Sequence, residues 1–321
     1  MTSINGDYFK DNYGLCLSVS QILNNGKASV IIDNGELIES KQFLIEDPGI
    51  RKCRFCGRSC PEVTFKMKAH AIPELLGNKT IISMNECDTC NTHFSKFEDS
   101  LSKYLLLYNS IMRIKGKKGV PSYKSKDKTA RIDSNDGIVN IYQQIGNDEI
   151  INLTKDNKAE ISAIRQPYIP IYVYKAFVKM AISTMPYEIA NYFGDTREWL
   201  LGNNPPGFFF HPKCRVTFMP KIQLGLTIFG LVRKDDVLKA PFYQFVICYG
   251  HLMFQILVPC PQKDKHLLGQ TLTFERFAFP FEPGSEYEKV KFSIIDLSSK
   301  EITKDESTSI RLSYESINIL D

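Results

Sequence analysis

The reading turns on three runs: Cys53-Arg54-Phe55-Cys56; Lys68-Ala69-His70-Ala71-Ile72-Pro73; and Cys87-Asp88-Thr89-Cys90-Asn91-Thr92-His93-Phe94-Ser95-Lys96-Phe97-Glu98. Two Cys-x2-Cys pairs bracket thirty residues. Each pair turns sharply enough to offer two sulfurs to one ion, and the intervening loop folds one pair onto the other. Cys53, Cys56, Cys87 and Cys90 are therefore expected to hold a tetrahedral structural zinc, the alternative being four reduced core cysteines. The loop is longer than a zinc ribbon needs, and it contains His70.

Outward from these runs, residues 64–67 are expected to form a short strand that delivers His70, with Pro73 fixing the backbone just beyond. Gly77-Asn78 signals a turn, and residues 80–84 read as a second strand. From Cys90 to about Lys103 the pattern becomes helical, because Phe94, Phe97, Leu101 and Tyr104/Leu105 recur at steps of three and four. Asn91, Ser95 and Glu98 share another face of that helix. The order is strand, loop, strand, helix.

Cys53-x2-Cys56, His70-Ala71-Ile72-Pro73-Glu74-x2-Gly77, Cys87-x2-Cys90-Asn91 and Phe94-Ser95-Lys96-Phe97-Glu98 together resemble an HNH endonuclease. The likeness is to the zinc-bearing branch with His-x-Ile-Pro and Cys-x2-Cys-Asn, and it covers about fifty residues. It implies a ββα-metal core in which one divalent cation, Mg²⁺ or Mn²⁺, acts on DNA while the zinc clamps the scaffold. His70 is then the expected general base, since a neutral imidazole titrates near working pH. Asn91 stands where the family's last motif residue holds the catalytic cation, although it could instead cap the helix. Glu98 resembles an acid found at that place in relatives and is a second candidate ligand. His93 is a backup ligand that the helix points elsewhere. Two departures stand out. Ala69 occupies the position of a metal-binding acid, and the loop-bracing middle Asn has no clean match, Asn85 being nearest and Asn78 second.

At 321 residues, with 43% hydrophobic and 24% charged residues, the chain has the composition of an ordinary globular protein with a substantial core. A net charge of +4 does not by itself demand a polyanionic partner. The nine cysteines are an odd count, they include two paired spacings, and no secretory leader precedes them; a secreted disulfide scaffold is disfavoured. No apolar run reaches the ~20 residues of a membrane span. The expectation is a cytoplasmic protein without a membrane partner.

Three parts are expected: a β-rich lead-in over 1–50, the nuclease module over 51–112, and an α+β C-terminal region over 113–321 rich in antiparallel strands. In the first, residues 28–32 and Leu37 onward read as a hairpin about Asp33-Asn34-Gly35. After the module, Arg113, Lys115, Lys117 and Lys118 open a basic stretch broken by Gly116, Gly119 and Pro121. This is either a flexible phosphate-contacting arm or a solvated loop. Residues 130–165 read as a meander, 168–186 as a helix stopped by Pro186, and 187–201 as a further helix with Trp199 as a packing anchor. Residues 215–219, 224–232, 243–249 and 252–258 read as strands, with a tight Gly250-His251 hairpin between the last two. Residues 272–277 read as another strand, and the tail as closing an edge.

The leading functional expectation is a metal-dependent DNA endonuclease, in a restriction or anti-phage defence setting. A homodimer is the expected assembly, because paired cuts on duplex DNA need two sites. The alternative is a zinc-stapled nucleic-acid-binding protein without hydrolysis. In a third reading, the C-terminal region senses a small-molecule or protein activator.

Overall fold

The computed structural model describes residues 6–24, 27–31, 37–38, 42–135, 138–144, 150–154, 157–202, 211–219, 224–272, 274–277 and 291–313. The chain opens with α1 (Gly6–Asn12), then β1 (Tyr13–Asn24), β2 (Lys27–Ile31), β3 (Leu37–Ile38) and β4 (Phe43–Ile45). β5 (Ala69–His70) and β6 (Ile81–Ser83) precede the long helix α2 (Asp88–Ile111). β7 (Tyr123–Lys124), β8 (Ala130–Asn135), β9 (Ile138–Gln143), β10 (Ile151–Thr154) and β11 (Lys158–Ile164) lead to α3 (Pro170–Thr184). The remaining strands are β12 (Lys213–Phe218), β13 (Leu224–Arg233), β14 (Tyr243–Gly250), β15 (Leu252–Val258), β16 (Lys291–Asp296) and β17 (Ser307–Ser313).

The largest sheet has eight strands in the order β16-β12-β15-β14-β13-β1-β2-β3. Every residue of β14 and β15 is buried. Their side chains alternate between two apolar layers. Phe245, Ile247, Phe254 and Ile256 enter the main core, while Val246, Cys248 and Met253 pack with Phe9, Tyr13 and Phe277 behind the sheet. Burial on both faces is why these strands read as unbroken apolar runs rather than alternating ones. The Gly250-His251 turn forms as expected. Gly250 has φ +56°, and a Cβ there would lie 2.8 Å from the Tyr108 hydroxyl of α2.

Several expectations change. The lead-in is part of the large sheet, since β1 pairs with β13 from Tyr13↔Arg233 to Gln21↔Leu226. β2 and β3 do pair, through Val30↔Ile38, but the turn residues 33–35 lie outside the described residues. Residues 64–67 are not a strand. The Asp88 carboxylate accepts from the backbone N–H of Lys66 (3.1 Å) and of Met67 (2.7 Å), taking the donors a ladder would use, and β5 shrinks to two residues. The expected meander divides between two sheets, β7-β8-β9 and β10-β11-β17. Residues 274–277 do not join a sheet; the Gln255 side chain instead donates to Glu275 O and accepts from Phe277 N. The expected helix over 187–201 breaks into three short turns of helix, with Trp199 buried as an anchor. The tail does close edges: β16 adds to β12, and β17 to β11.

One core links these parts. α3 is buried almost throughout and lies between α2 and β15, with Phe177 stacked on Phe254 at 5.1 Å. Cys53, Phe55, Ile72, Phe94 and Phe97 share this core with Tyr243 and Phe254. The architecture is α+β, and among the described residues no helix is long and apolar enough to cross a membrane.

Candidate active site and metal centre

The sulfurs of Cys53, Cys56, Cys87 and Cys90 all lie within 4.8 Å of one another. Cys56 Sγ and Cys87 Sγ are 3.8 Å apart. A regular tetrahedron with Zn–S bonds of about 2.3 Å has edges of about 3.8 Å, so the cluster is compatible with zinc. Backbone N–H groups point at the sulfurs: Cys87 N at Cys53 Sγ, and Cys90 N at Cys87 Sγ, each at 3.5 Å. Such donors favour thiolate. Within the coupled cluster a hydrogen bond from Cys90 lowers the pKa of the Cys53 thiol, whereas burial raises that of Cys87 and the bond to Cys53 raises that of Cys90, so without a cation the protons concentrate on those two thiols. Cys87 also caps α2, so Asn91 is not engaged as the cap.

The first knuckle also grips α3. Arg54 Nη1 donates to the carbonyls of Ile182 (2.8 Å), Ser183 (3.1 Å) and Met185 (2.9 Å), which closes the C-terminal end of that helix. The same guanidinium pairs with Asp47, and Arg197 donates back to Arg54 O.

His70 ends β5, opposite Ile82 of β6. Its side chain is half-buried, with Nε2 3.5 Å from Glu74 Oε1. Burial lowers its pKa below the ordinary histidine value. Lys68, Lys179 and Lys79 push the same way, and Glu74 opposes them. The loop beyond His70 is braced by the buried Asn78. Its Oδ1 accepts from Thr80 N (3.0 Å) and Ile81 N (2.8 Å), and its Nδ2 donates to Ile72 O (2.6 Å) and Ile81 O (2.9 Å). That same Nδ2 lies 3.4 Å from His70 Nδ1. Asn78 thus has the bracing position beside the imidazole. Asn85 sits by the first knuckle instead, accepting from Asp47 N (2.8 Å) and donating to Lys52 O (3.0 Å).

Asn91 and Glu98 both lie on α2, half-exposed. The Asn91 amide nitrogen is 3.9 Å from Met67 Sδ. Burial raises the Glu98 pKa, Lys179 pulls it back, and the charge of Glu74 adds to the rise. Glu98 is thereby brought to the side of the module where Glu74 and His70 stand. His93 points away, its Nε2 3.0 Å from Leu200 O. Among the described residues, only the four cysteines gather three or more His, Cys, Asp or Glu ligand atoms within 4.8 Å.

Arg113, Lys115, Lys117 and Lys118 are exposed on a loop that closes through a Gly116↔Gly119 bridge. This loop packs against the segment after His70: Lys79 Nζ donates to Gly116 O (3.0 Å) and reaches Glu74 Oε2 (3.3 Å). Asn109 of α2 donates to Leu75 O at 3.0 Å. A line of polar contacts therefore runs from His70 through Glu74 and Lys79 to the basic loop.

Two side chains outside the motif complete the floor. Glu86, just ahead of Cys87, is fully buried, and burial pushes its pKa up to about 7. Lys179 of α3 places its ammonium 3.0 Å from Glu86 Oε2 and 4.0 Å from Glu98 Oε1, and donates to His70 O at 2.8 Å. The ammonium lies within ion-pair distance of Glu86, although the geometry is not that of a well-aligned hydrogen bond. Nothing in the sequence points to Lys179, because a lysine at a helical step reads as solvent-facing.

Comparison with known families matches residues 53–106 to the family described as HNH endonuclease. That segment begins at the first zinc-type cysteine and ends within α2. The family assignment supports nuclease action on nucleic acid. No curated protein and no solved structure matches the chain.

Proposed function

We propose that this chain, whose residues 53–106 form an HNH endonuclease module, is a metal-dependent endonuclease hydrolysing DNA phosphodiester bonds. The observation that carries the reading is His70. It stands at a strand end, part-exposed, with its pKa lowered chiefly by burial against the opposing charge of Glu74. A neutral imidazole can take the proton of an attacking water. Glu74, 3.5 Å from Nε2, steadies the imidazolium that results. Asn78 keeps the loop from collapsing onto the ring.

Asn91 and Glu98 are the residues assigned to hold the catalytic Mg²⁺ or Mn²⁺. One neutral and one anionic oxygen donor on a half-exposed helix face suit a hard cation that retains most of its waters. Such a cation supplies charge neutralisation at the phosphate and at the departing oxygen. The exposed loop bearing Arg113, Lys115, Lys117 and Lys118 contacts neighbouring phosphates, a role supported by its packing against the segment after His70. A zinc in the four-cysteine cluster contributes only to folding.

The reading in which the chain binds nucleic acid without cutting draws on Ala69, where an acidic ligand would be expected, and on the lack of a gathered acidic set among the described residues. A C-terminal sensing role draws on a cavity of about 550 Å³ between Tyr104 and Tyr108 of α2, Phe218, Ile295 and Ile310, a ligand-sized volume. The deciding experiment incubates supercoiled plasmid with the purified chain and Mg²⁺ or Mn²⁺. Nicking that His70→Ala abolishes, with zinc content and fold retained, supports hydrolysis. DNA retention unaffected by His70→Ala, with no nicking by the parent, supports the binding reading.

A further inference from the structure

Lys179 lies well outside residues 53–106, yet its side chain ends inside that module. Its side chain is 2% exposed and that of Glu86 is 0% exposed. Lysine is among the residues least often buried, and withdrawing an ammonium from water carries a desolvation penalty that pairing must offset. An apolar residue on α3 would pack against α2 and β15 without that penalty. The position of the ammonium is therefore informative. Its shortest contact is not the Glu86 carboxylate at 3.0 Å but the backbone carbonyl of His70 at 2.8 Å, with Glu98 at 4.0 Å beyond.

The backbone around His70 is held by a short ladder, extended by Ala71 N donating to Ile81 O at 3.2 Å. β5 has two residues, and its only strand partner is β6. Asn78 braces the far side of the loop, through Ile72 and Ile81. On the near side, Lys179 is the contact that reaches the His70 carbonyl. α3 is itself immobilised by Arg54 at its C-terminal end and by the stack of Phe177 on Phe254. The support for the base thus runs from the large sheet, through α3, into the nuclease module.

We infer that Lys179 is a positioning residue for cleavage: it fixes the backbone of His70 relative to Glu98, so a helix outside the family segment completes the site. This rests on the endonuclease reading above. A buried pair that served stability alone would need only Lys179 and Glu86. The tie to His70 adds a requirement that an apolar replacement of the pair would not meet.

The test uses the full chain carrying Lys179→Met together with Glu86→Met, which removes the buried pair at once; Glu98, a third exposed, loses its more distant Lys179 contact but keeps solvent contact. Replacing a buried ion pair with apolar groups of similar volume is commonly neutral or stabilising, so zinc content and Tm are expected to be retained. The expected kinetic result is a fall in kcat of about 10–100-fold with KM unchanged, the scale of a misplaced catalytic group. Lys179→Arg is the second variant. It keeps the charge beside Glu86 but cannot place one compact donor on the carbonyl, and a smaller kcat loss is expected. The imidazole Cε1–Hε1 resonance of His70 is assigned by its loss in His70→Ala among the chain's five histidines. It should shift or broaden in both variants. Cleavage at the parent rate with an unmoved His70 resonance overturns the inference and leaves the endonuclease reading intact. If the parent itself does not cleave, the endonuclease reading falls, and the inferred catalytic role falls with it. The resonance then still decides whether Lys179 places His70.

Discussion

The HNH-like segment and the eight-stranded sheet share one apolar core but differ in what else holds them. β14 and β15 are fully buried over eight and seven residues, and their alternating side chains fill two apolar layers. In the module, β5 has two residues and β6 three, too little ladder to hold a shape alone. Beside the apolar residues it shares with the main core, the module relies on point contacts: four sulfurs, the bracing amide of Asn78, the Asp88 carboxylate on the 64–67 backbone, and Lys179. The sheet carries buried polar pairs of its own, Arg233 with Asp264 and Gln244 with Gln255, but Arg233, Gln244 and Gln255 sit on long paired strands. A loop built this way keeps His70 at the end of a two-residue strand, where each tie bears on its placement.

The sharpest way to break that contrast is to remove the metal. Structural zinc contributes on the order of 10 kcal/mol of apparent folding free energy at neutral pH. Chelation should therefore release the amides of residues 53–106 to hydrogen exchange while those of β14 and β15 stay protected. Parallel loss of protection in the sheet would show one cooperative unit. Phe254→Ala attacks the other region. Phe254 is 2% exposed and stacked on Phe177, so the cost should be about 3–5 kcal/mol in denaturant unfolding. Zinc stoichiometry in the native protein should be unchanged.

A finer probe is the pH dependence of cleavage. His70 must be neutral to accept a proton, and its pKa is lowered, chiefly by burial. The rate should rise with pH along a limb centred below the ordinary histidine value of about 6.5, and be flat above it. A limb centred above neutrality contradicts the assignment. The smallest effect belongs to the basic loop. Lys117→Ala with Lys118→Ala should leave kcat unchanged and reduce the slope of log affinity against log salt by about 0.9 for each phosphate no longer neutralised. An unchanged slope would make the loop a solvated surface feature.

Different parts of the molecule are legible in the sequence for different reasons. The four-cysteine cluster follows from spacing, because two-residue cysteine turns restrict geometry, while His70 is singled out by the family resemblance of the run around it. The central strands and the Gly250-His251 hairpin follow from apolar runs and turn chemistry. β1 is hidden because Ser18, Ser20 and Gln21 interrupt its apolar pattern; Ser20 and Gln21 are satisfied by partners far along the chain, Thr227 and the Gly77–Thr80 loop. The family resemblance puts Asn85 ahead of Asn78, whereas Asn78 is the amide that lies 3.4 Å from the His70 ring and Asn85 lies by Asp47 and Lys52. Lys179 is not legible at all. Its role comes from α3 packing across the module, and helical periodicity assigns a lysine to solvent.

The central claim is that the imidazole at position 70 acts as the base, and chemical rescue tests it most directly. His70→Gly in the full chain, with Mg²⁺ or Mn²⁺ and labelled duplex DNA, should cleave far more slowly than the parent, a general base being worth about 10²–10⁴-fold. Added imidazole should restore cleavage in a saturable way, in proportion to its unprotonated form. Cleavage by His70→Gly at the parent rate, with no response to imidazole, would contradict the account.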